Sequence, residues 1–445
     1  MQQFSQQQKL IVIVVVIAIV LSLVSIPFIL KKTATKKKIN SLKVWIVGDD
    51  RSVFEPISNS FGFPVEYVEK DFKTYERELV DALASGEGPD VFMIHNSWLP
   101  KHQSKLASAP AEFITPLAVQ KNFPDVVTTD FVRDGKIYAL PLSIDTLALF
   151  YDKDVFNGSF ISAPPQTWGE LEEIATRLTK RDESGSIIQS GVALGGSDRS
   201  VDKASHILAL LMMQKGVTLT EQSGNNYSSE FRNKKTNESS AEDALNFYLQ
   251  FSDPQSPFYT WDTGQHYSID AFSYNPSVRN KAAMILGYWY QIAVMKGDEN
   301  KKGKNPNLNF GVAQMPQQDD VNESRYATYA DYWGYAVAKS TKDPQSAWRF
   351  VQFLTSKAQA EQYLIATKRP PALRSLIASY QDNPILSVFA NQILIAKSWV
   401  QPGASDVNPL FSQAIEQVYR GQLSSEEAIR ALREQVKELF SRIVL

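Results

Sequence analysis

Tyr138–Ala139–Leu140–Pro141–Leu142–Ser143–Ile144–Asp145–Thr146–Leu147–Ala148–Leu149–Phe150–Tyr151 is the stretch on which the reading of the fold turns. It is rich in Leu, Ile and aromatic residues, and apolar runs of this kind form strands buried on both faces of a parallel sheet. Asp145 interrupts it. An ionised carboxylate buried without partners costs several kcal/mol or more. Asp145 therefore either has a buried cationic or hydrogen-bonding partner, or opens into a polar cleft that ligands enter. The run alone leaves both readings open. Upstream, Asp134–Gly135–Lys136 is a turn of the Asp–Gly type that feeds a strand.

Outward from this run the chain alternates strands and helices. Lys43–Val44–Trp45–Ile46–Val47 and Val91–Phe92–Met93–Ile94 read as buried strands. Between them, Asp71 to Ser85 has helical spacing (Phe72, Tyr75, Leu79, Leu83) and stops at Gly86. Strand, helix, strand at this spacing argues for a parallel α/β sheet. Thr167–Trp168–Gly169–Glu170 and Ser424–Ser425–Glu426–Glu427 are capping boxes that open helices, and Asp343–Pro344 starts another. Ser223 to Ser240 and Gly297 to Asn307 are polar and read as surface loops.

Several motifs, taken in order, resemble a known family. They are Gly88–Pro89–Asp90–Val91–Phe92, the run Asp134 to Asp154, Pro165–Gln166–Thr167–Trp168–Gly169–Glu170–Leu171, Ala282–Ala283–Met284–Ile285–Leu286–Gly287–Tyr288–Trp289, Gly311–Val312–Ala313–Gln314–Met315–Pro316 and Trp333–Gly334–Tyr335–Ala336–Val337–Ala338–Lys339. Together they resemble the extracellular solute-binding proteins that serve ABC importers, the family that includes maltose-binding protein. The resemblance implies a two-lobed α/β fold of the periplasmic-binding-protein type II, each lobe a sheet flanked by helices. It implies discontinuous lobes, 42–147 with 335–378 and 148–334 with 379–445, and places the Asp145 run at the first crossover. It also implies a monomer that presents a small ligand, a mono- or oligosaccharide, to ABC permease subunits in the membrane.

Composition agrees with a large globular protein. The chain has 445 residues, 43% of them hydrophobic and 21% charged, and a net charge of −2 that gives no reason to expect nucleic acid. It has no cysteine, which excludes disulfides, thiolate metal sites and a lipid-modified cysteine anchor. Leu10 to Leu30 is an almost unbroken apolar stretch. A bilayer core takes roughly 20 apolar residues as helix, so residues 1–41 read as an N-terminal transmembrane anchor followed by a Lys-rich tether, with a cleaved signal peptide as the alternative. Lys31, Lys32, Lys36, Lys37 and Lys38 on its far side argue against an outside domain. The family resemblance argues for an extracytoplasmic one, and long domains translocate largely regardless of charge.

Ligands of open α/β sheets bind beyond the carboxyl ends of strands. That rule selects Asp49, Asp50 and Arg51 after the first strand, then His95, Asn96 and Trp98 after the second. The resemblance implies ligand contacts at these two turns and at Asp145. It also implies an opposing wall of flat rings from Tyr288, Trp289 and Tyr290, Tyr332 and Trp333, and Trp399. Arg369, in Lys368–Arg369–Pro370–Pro371, is a site candidate or a surface charge. Trp45, Trp168, Trp261 and Trp348 read as core. The four histidines lack metal-ligand spacing, no cofactor fingerprint is present, and Ser200–Val201–Asp202–Lys203 matches S-x-x-K without the rest of a penicillin-binding signature. The residues thus point to a binding protein without a cofactor. The rival readings are a cell-surface glycoside hydrolase, which would use a carboxylate pair such as Asp49 and Asp145, and a ligand sensor of the same fold without a permease.

Overall fold

The computed structural model describes residues 41–443 apart from 224–225, 234–239, 265–266, 274–280, 297–307, 320 and 322. The apolar stretch Leu10 to Leu30, its tether and the Gly297 to Asn307 loop lie outside the described residues, among which no helix is long and apolar enough to cross a membrane.

Two hydrophobic cores divide the described residues. The first gathers side chains from Leu42 to Ile144 and from Ala330 to Leu376, with Ile393 and Ala396. The second runs from Leu147 to Tyr329 and from Phe389 to Phe440, less those two. Trp348 belongs to the first and Trp168 and Trp261 to the second, all fully buried as expected.

The first core is built on a six-stranded sheet. Leu42–Val47 lies between Val65–Lys70 and Val91–His95, parallel to both, and Trp333–Ala338 joins antiparallel with Trp333 opposite His95. The apolar strands form because their β-branched and aromatic side chains are buried on both faces. The second core holds an antiparallel sheet in which Ala148–Asp152 lies between Met284–Gly287 and Phe310–Ala313.

The opening run is not one parallel strand. It is three short pieces in three sheets: Ala139–Pro141 pairs with Trp333–Ala338 in the first core, Asp145–Thr146 stands between the cores, and Ala148–Asp152 enters the second. All these pairings are antiparallel. Apolar content reported burial correctly, but a chain crossing between two cores is as apolar as a central strand. Asp145–Thr146 joins Thr328–Asp331 and Ala396–Lys397 in a separate three-stranded sheet. That sheet, the hinge sheet, collects three passages of the chain between the cores.

Two other expectations change. The helix read from Asp71 begins at Tyr75 and ends at Gly86 in the left-handed conformation. Asp71 instead accepts the Lys73 N–H at 2.8 Å, a local turn that competes with helix and leaves Phe72 69% exposed. The Ser223 to Ser240 loop contains the strand Asn226–Arg232, paired with Thr218–Ser223, and its Phe231 is buried against Trp399 and Phe411. Only Tyr227 and Phe231 in this strand are apolar, four residues apart and so on one face of it, too few to give the segment an alternating pattern.

Candidate functional site

A cavity of about 450 Å³ opens where the hinge sheet meets both cores. Its floor is set by the register of that sheet. Asp331 stands directly opposite Asp145 across the antiparallel pair, so two carboxylates share one face. Their environments separate them. His95, at the end of a first-core strand, donates from Nε2 to Asp331 Oδ1 at 2.5 Å, and Lys203 Nζ from the second core lies 3.7 Å from Asp331 Oδ2. Burial pushes the Asp331 carboxyl up, but Lys203 and His95 outweigh it and hold the group ionised well below the usual carboxylate range. Lys203 in turn is driven above its ordinary value, against the effect of burial, by Asp331, Tyr290 and Asp202.

Asp145 has no cation of its own among the described residues. Its Oδ1 accepts the N–H groups of Thr146 at 2.8 Å and Trp289 at 3.0 Å, and its Oδ2 accepts that of Tyr290 at 3.2 Å. Burial pushes the carboxyl up to about 7; the three amides oppose the rise and the charge of Asp331 adds to it.

The aromatic wall is the turn after Met284–Gly287. Tyr288 and Tyr290 stack at 5.7 Å with Lys203 Nζ 5.8 and 5.7 Å from their ring centres, and Trp289 is half-buried at the cavity. Facing it, Trp333 meets Phe72 edge-on at 6.1 Å and is backed by Trp98 at 5.1 Å and Tyr75 at 5.8 Å. At the far end Arg369 lines the cavity while pairing with Asp49 at 2.7 Å, and Tyr363 donates its O–H to Asp49 at 2.9 Å. Burial raises the Asp49 carboxyl despite these partners.

Of the residues selected from the sequence, the cavity brings together Asp145, Trp289, Tyr290, Tyr332, Trp333, His95 and Arg369. It does not bring in the others. Asp49 is closed off behind Arg369, its side chain only 4% exposed. Asp50 caps the helix Arg51–Ser58 by accepting the Ser52 N–H at 2.7 Å, and Arg51 is exposed beside Glu55, so both belong to a solvent-exposed helix start. Asn96 is buried and donates to Asp130 at 3.1 Å. Trp98 and Tyr288 support the rings in front of them. Trp399 packs in the second core against Phe231 and Phe411. Strand ends bring such residues near a cleft, but caps and packing demands claim most of them first.

Asp331, Lys203 and Phe72 were missed. Asp331 carried the same signal as Asp145, a lone carboxylate among Tyr329, Ala330, Tyr332 and Trp333. Lys203 sits in the S-x-x-K match; its left-handed backbone (φ 59°) just before the helix Ala204–Gln214 and its place on the cavity are not revealed by sequence.

Two cores joined by a hinge sheet, with a ring-walled and charge-paired cavity at the join, define a two-lobed ligand-binding protein. The chain belongs to the bacterial extracellular solute-binding proteins, whose family profile matches residues 53–388. The maltodextrin-binding protein of Bacillus subtilis is 24% identical over 329 residues, 72% of each chain. Among solved structures, a cyclo/maltodextrin-binding protein complexed with maltotetraose superimposes with a TM-score of 0.70 at 20% identity, covering 92% of this chain and 100% of that one. The sugar-binding protein MalE of Xanthomonas citri does so with a TM-score of 0.71 at 18% identity, covering 90% and 98%. These likenesses establish the two-lobed maltose-binding-protein-like fold.

Proposed function

We propose that the chain is the substrate-binding protein of an ABC importer, taking a mono- or oligosaccharide into the cavity by hinge closure and presenting it to permease subunits. One observation carries this reading: the cavity sets the rings of Trp289, Tyr290 and Trp333 around the half-buried Asp331–Lys203–His95 cluster. Flat rings fit the C–H faces of a sugar, and the polar groups between them fix its hydroxyls. The charged groups pair with one another, which favours an uncharged, polyhydroxylated ligand. The names of the relatives, maltodextrin-binding among them, support an α-glucan.

The two lobes are 42–147 with 335–378 and 148–334 with 379–445, a division supported by the changes of core near Leu147, Ala330 and Phe389. Leu10 to Leu30 anchors the protein in the membrane with its lobes outside the cytoplasm, held by a tether from Lys31 to Ser41 that reaches roughly 35 Å when stretched. The protein is a receptor and not a hydrolase. The opposed Asp145 and Asp331 are the pair a glycosidase would use, but three amides hold the first, and Lys203 and His95 hold the second.

Thermal shift of the full-length chain with maltose, maltotetraose and a panel of hexoses tests the ligand class, since a binder at a hundred times its Kd stabilises the fold by about 2.7 kcal/mol. A shift with a sugar supports the reading; shifts only with amino acids, peptides or anions would replace it. Turnover of chromogenic glycosides would restore the hydrolase. Protease accessibility on whole cells decides the topology.

A further inference from the structure

The aromatic wall hangs on one carboxylate. The Tyr288–Trp289–Tyr290 turn leaves a strand of the second core and enters the short helix Gln291–Lys296. Its amides are held by side chains: Tyr288 N–H donates to Gln291 Oε1 at 2.5 Å, and Trp289 and Tyr290 N–H donate to the two oxygens of Asp145. The Tyr288 ring is fixed from below, its hydroxyl 2.7 Å from His206 Nδ1. Asp145 is the only one of these holders that belongs to the hinge sheet. The orientation of Trp289 and Tyr290 is thereby tied to the first crossing between the cores.

Resting on the reading of this cavity as the ligand site, we propose that Asp145 is a positioning residue: its ionised carboxylate locks the Trp289–Tyr290 turn to the hinge, and ligand affinity follows that ionisation. An ionised carboxylate has two accepting oxygens, which between them satisfy all three N–H groups. A proton on Oδ2 takes the acceptor from Tyr290, while Oδ1 keeps Trp289 and Thr146. The surrounding charges come from several elements. Asp331, opposite on its strand, favours the proton. The cations contact other carboxylates: Lys203 and His95 face Asp331, and Arg369 pairs with Asp49 while also feeling the charge of Asp145; Asp202 accepts from Gln291 at the start of the following helix. The phenols of Tyr288 and Tyr290 are both shifted up by burial and stay neutral. Burial, followed by the amides and Asp331, leaves Asp145 titrating at about 7, so both forms of the turn are populated near neutrality.

Hydrogen–deuterium exchange on the ligand-free, full-length chain, resolved to the amides of residues 289 and 290 and corrected for intrinsic rate, tests this. In the wild type the Tyr290 amide gains about tenfold protection from pH 6 to pH 8, the change in ionised fraction across a midpoint near 7. Asp145→Asn keeps the Trp289 amide protected and makes the Tyr290 amide flat with pH; Asp145→Ala exposes both. Maltotetraose affinity rises over the same interval in the wild type and is lower and flat in Asp145→Asn. A Tyr290 amide whose protection ignores both pH and the Asn substitution overturns the proposal. Absence of maltotetraose binding in the wild type overturns the α-glucan reading alone, because the exchange measurement needs no ligand. If Asp145→Ala does not fold, the Asn variant carries the test.

Discussion

Replacing Asp331 by Asn removes a largely enclosed charge while keeping its shape, and the structure sets the size of the effect. Lys203 Nζ lies 3.7 Å from the carboxylate, and the two side chains are 27% and 14% exposed. At an effective dielectric of 20 that separation corresponds to about 4 kcal/mol. The His95 bond at 2.5 Å adds a charge-assisted contact of about 1.5–3 kcal/mol. Against these, Asn no longer bears the cost of burying a carboxylate, several kcal/mol in a protein interior. Lys203 also keeps the Tyr288 and Tyr290 rings. Breaking one side of a buried pair costs about 3–5 kcal/mol, and these offsets place Asp331→Asn at the low end, about 3 kcal/mol. In a lobe-sized unit that lowers Tm by roughly 6–12 °C. Lys203→Met in the same background should recover much of the loss, because no charge is then stranded. The assay is thermal and urea denaturation of both single variants and the double. A coupling energy below about 0.5 kcal/mol, the scatter of independent sites, would refute the reasoning.

Trp289→Ala weakens sugar affinity at least tenfold by calorimetry and leaves Tm nearly unchanged, because the ring is half-buried at the cavity and not in the middle of the core. Arg369→Ala strands Asp49, whose side chain is 4% exposed, and lowers stability by about 3–5 kcal/mol; Asp49→Asn in that background restores most of it in urea melts. Asp130 is buried and pushed up to about 6, despite donors from Ser398, Asn96 and Tyr332. A carboxyl raised on folding contributes stability that is present below its unfolded value and lost as pH rises through the folded one. Melting temperature therefore falls from pH 5 to pH 7, and Asp130→Asn reduces that fall.

The fold was legible where a local signal has one structural meaning. Asp343 and Ser424 cap their helices as their spacing predicts, the latter in a complete capping box. The site was half legible. Asp145 stands out in the sequence because a carboxylate in an apolar run demands an explanation, yet besides the adjacent Thr146 N–H its partners are backbone amides more than a hundred residues away, which no periodicity encodes. Its opposite number is also remote, since only the register of the hinge sheet sets Asp331 across from it. Asp50 and Arg51 were overread because a polar turn after a strand serves equally as a helix cap.

The hinge sheet concentrates charge where the chain crosses between cores, and this placement has a mechanical consequence. Asp331 is held from both sides, by His95 on a first-core strand and by Lys203 at the head of a second-core helix. Any relative movement of the cores that lengthens either contact leaves a buried carboxylate less well compensated, with a cost that rises steeply as the partner withdraws. Asp130 binds the same pivot through Ser398 beside Ala396–Lys397, Asn96 beyond Val91–His95, and Tyr332 between the hinge strand and the first sheet. On the proposed reading of the cavity, a ligand that enters while both contacts are kept meets Asp331 already paired, and separation of the cores is what raises the cost.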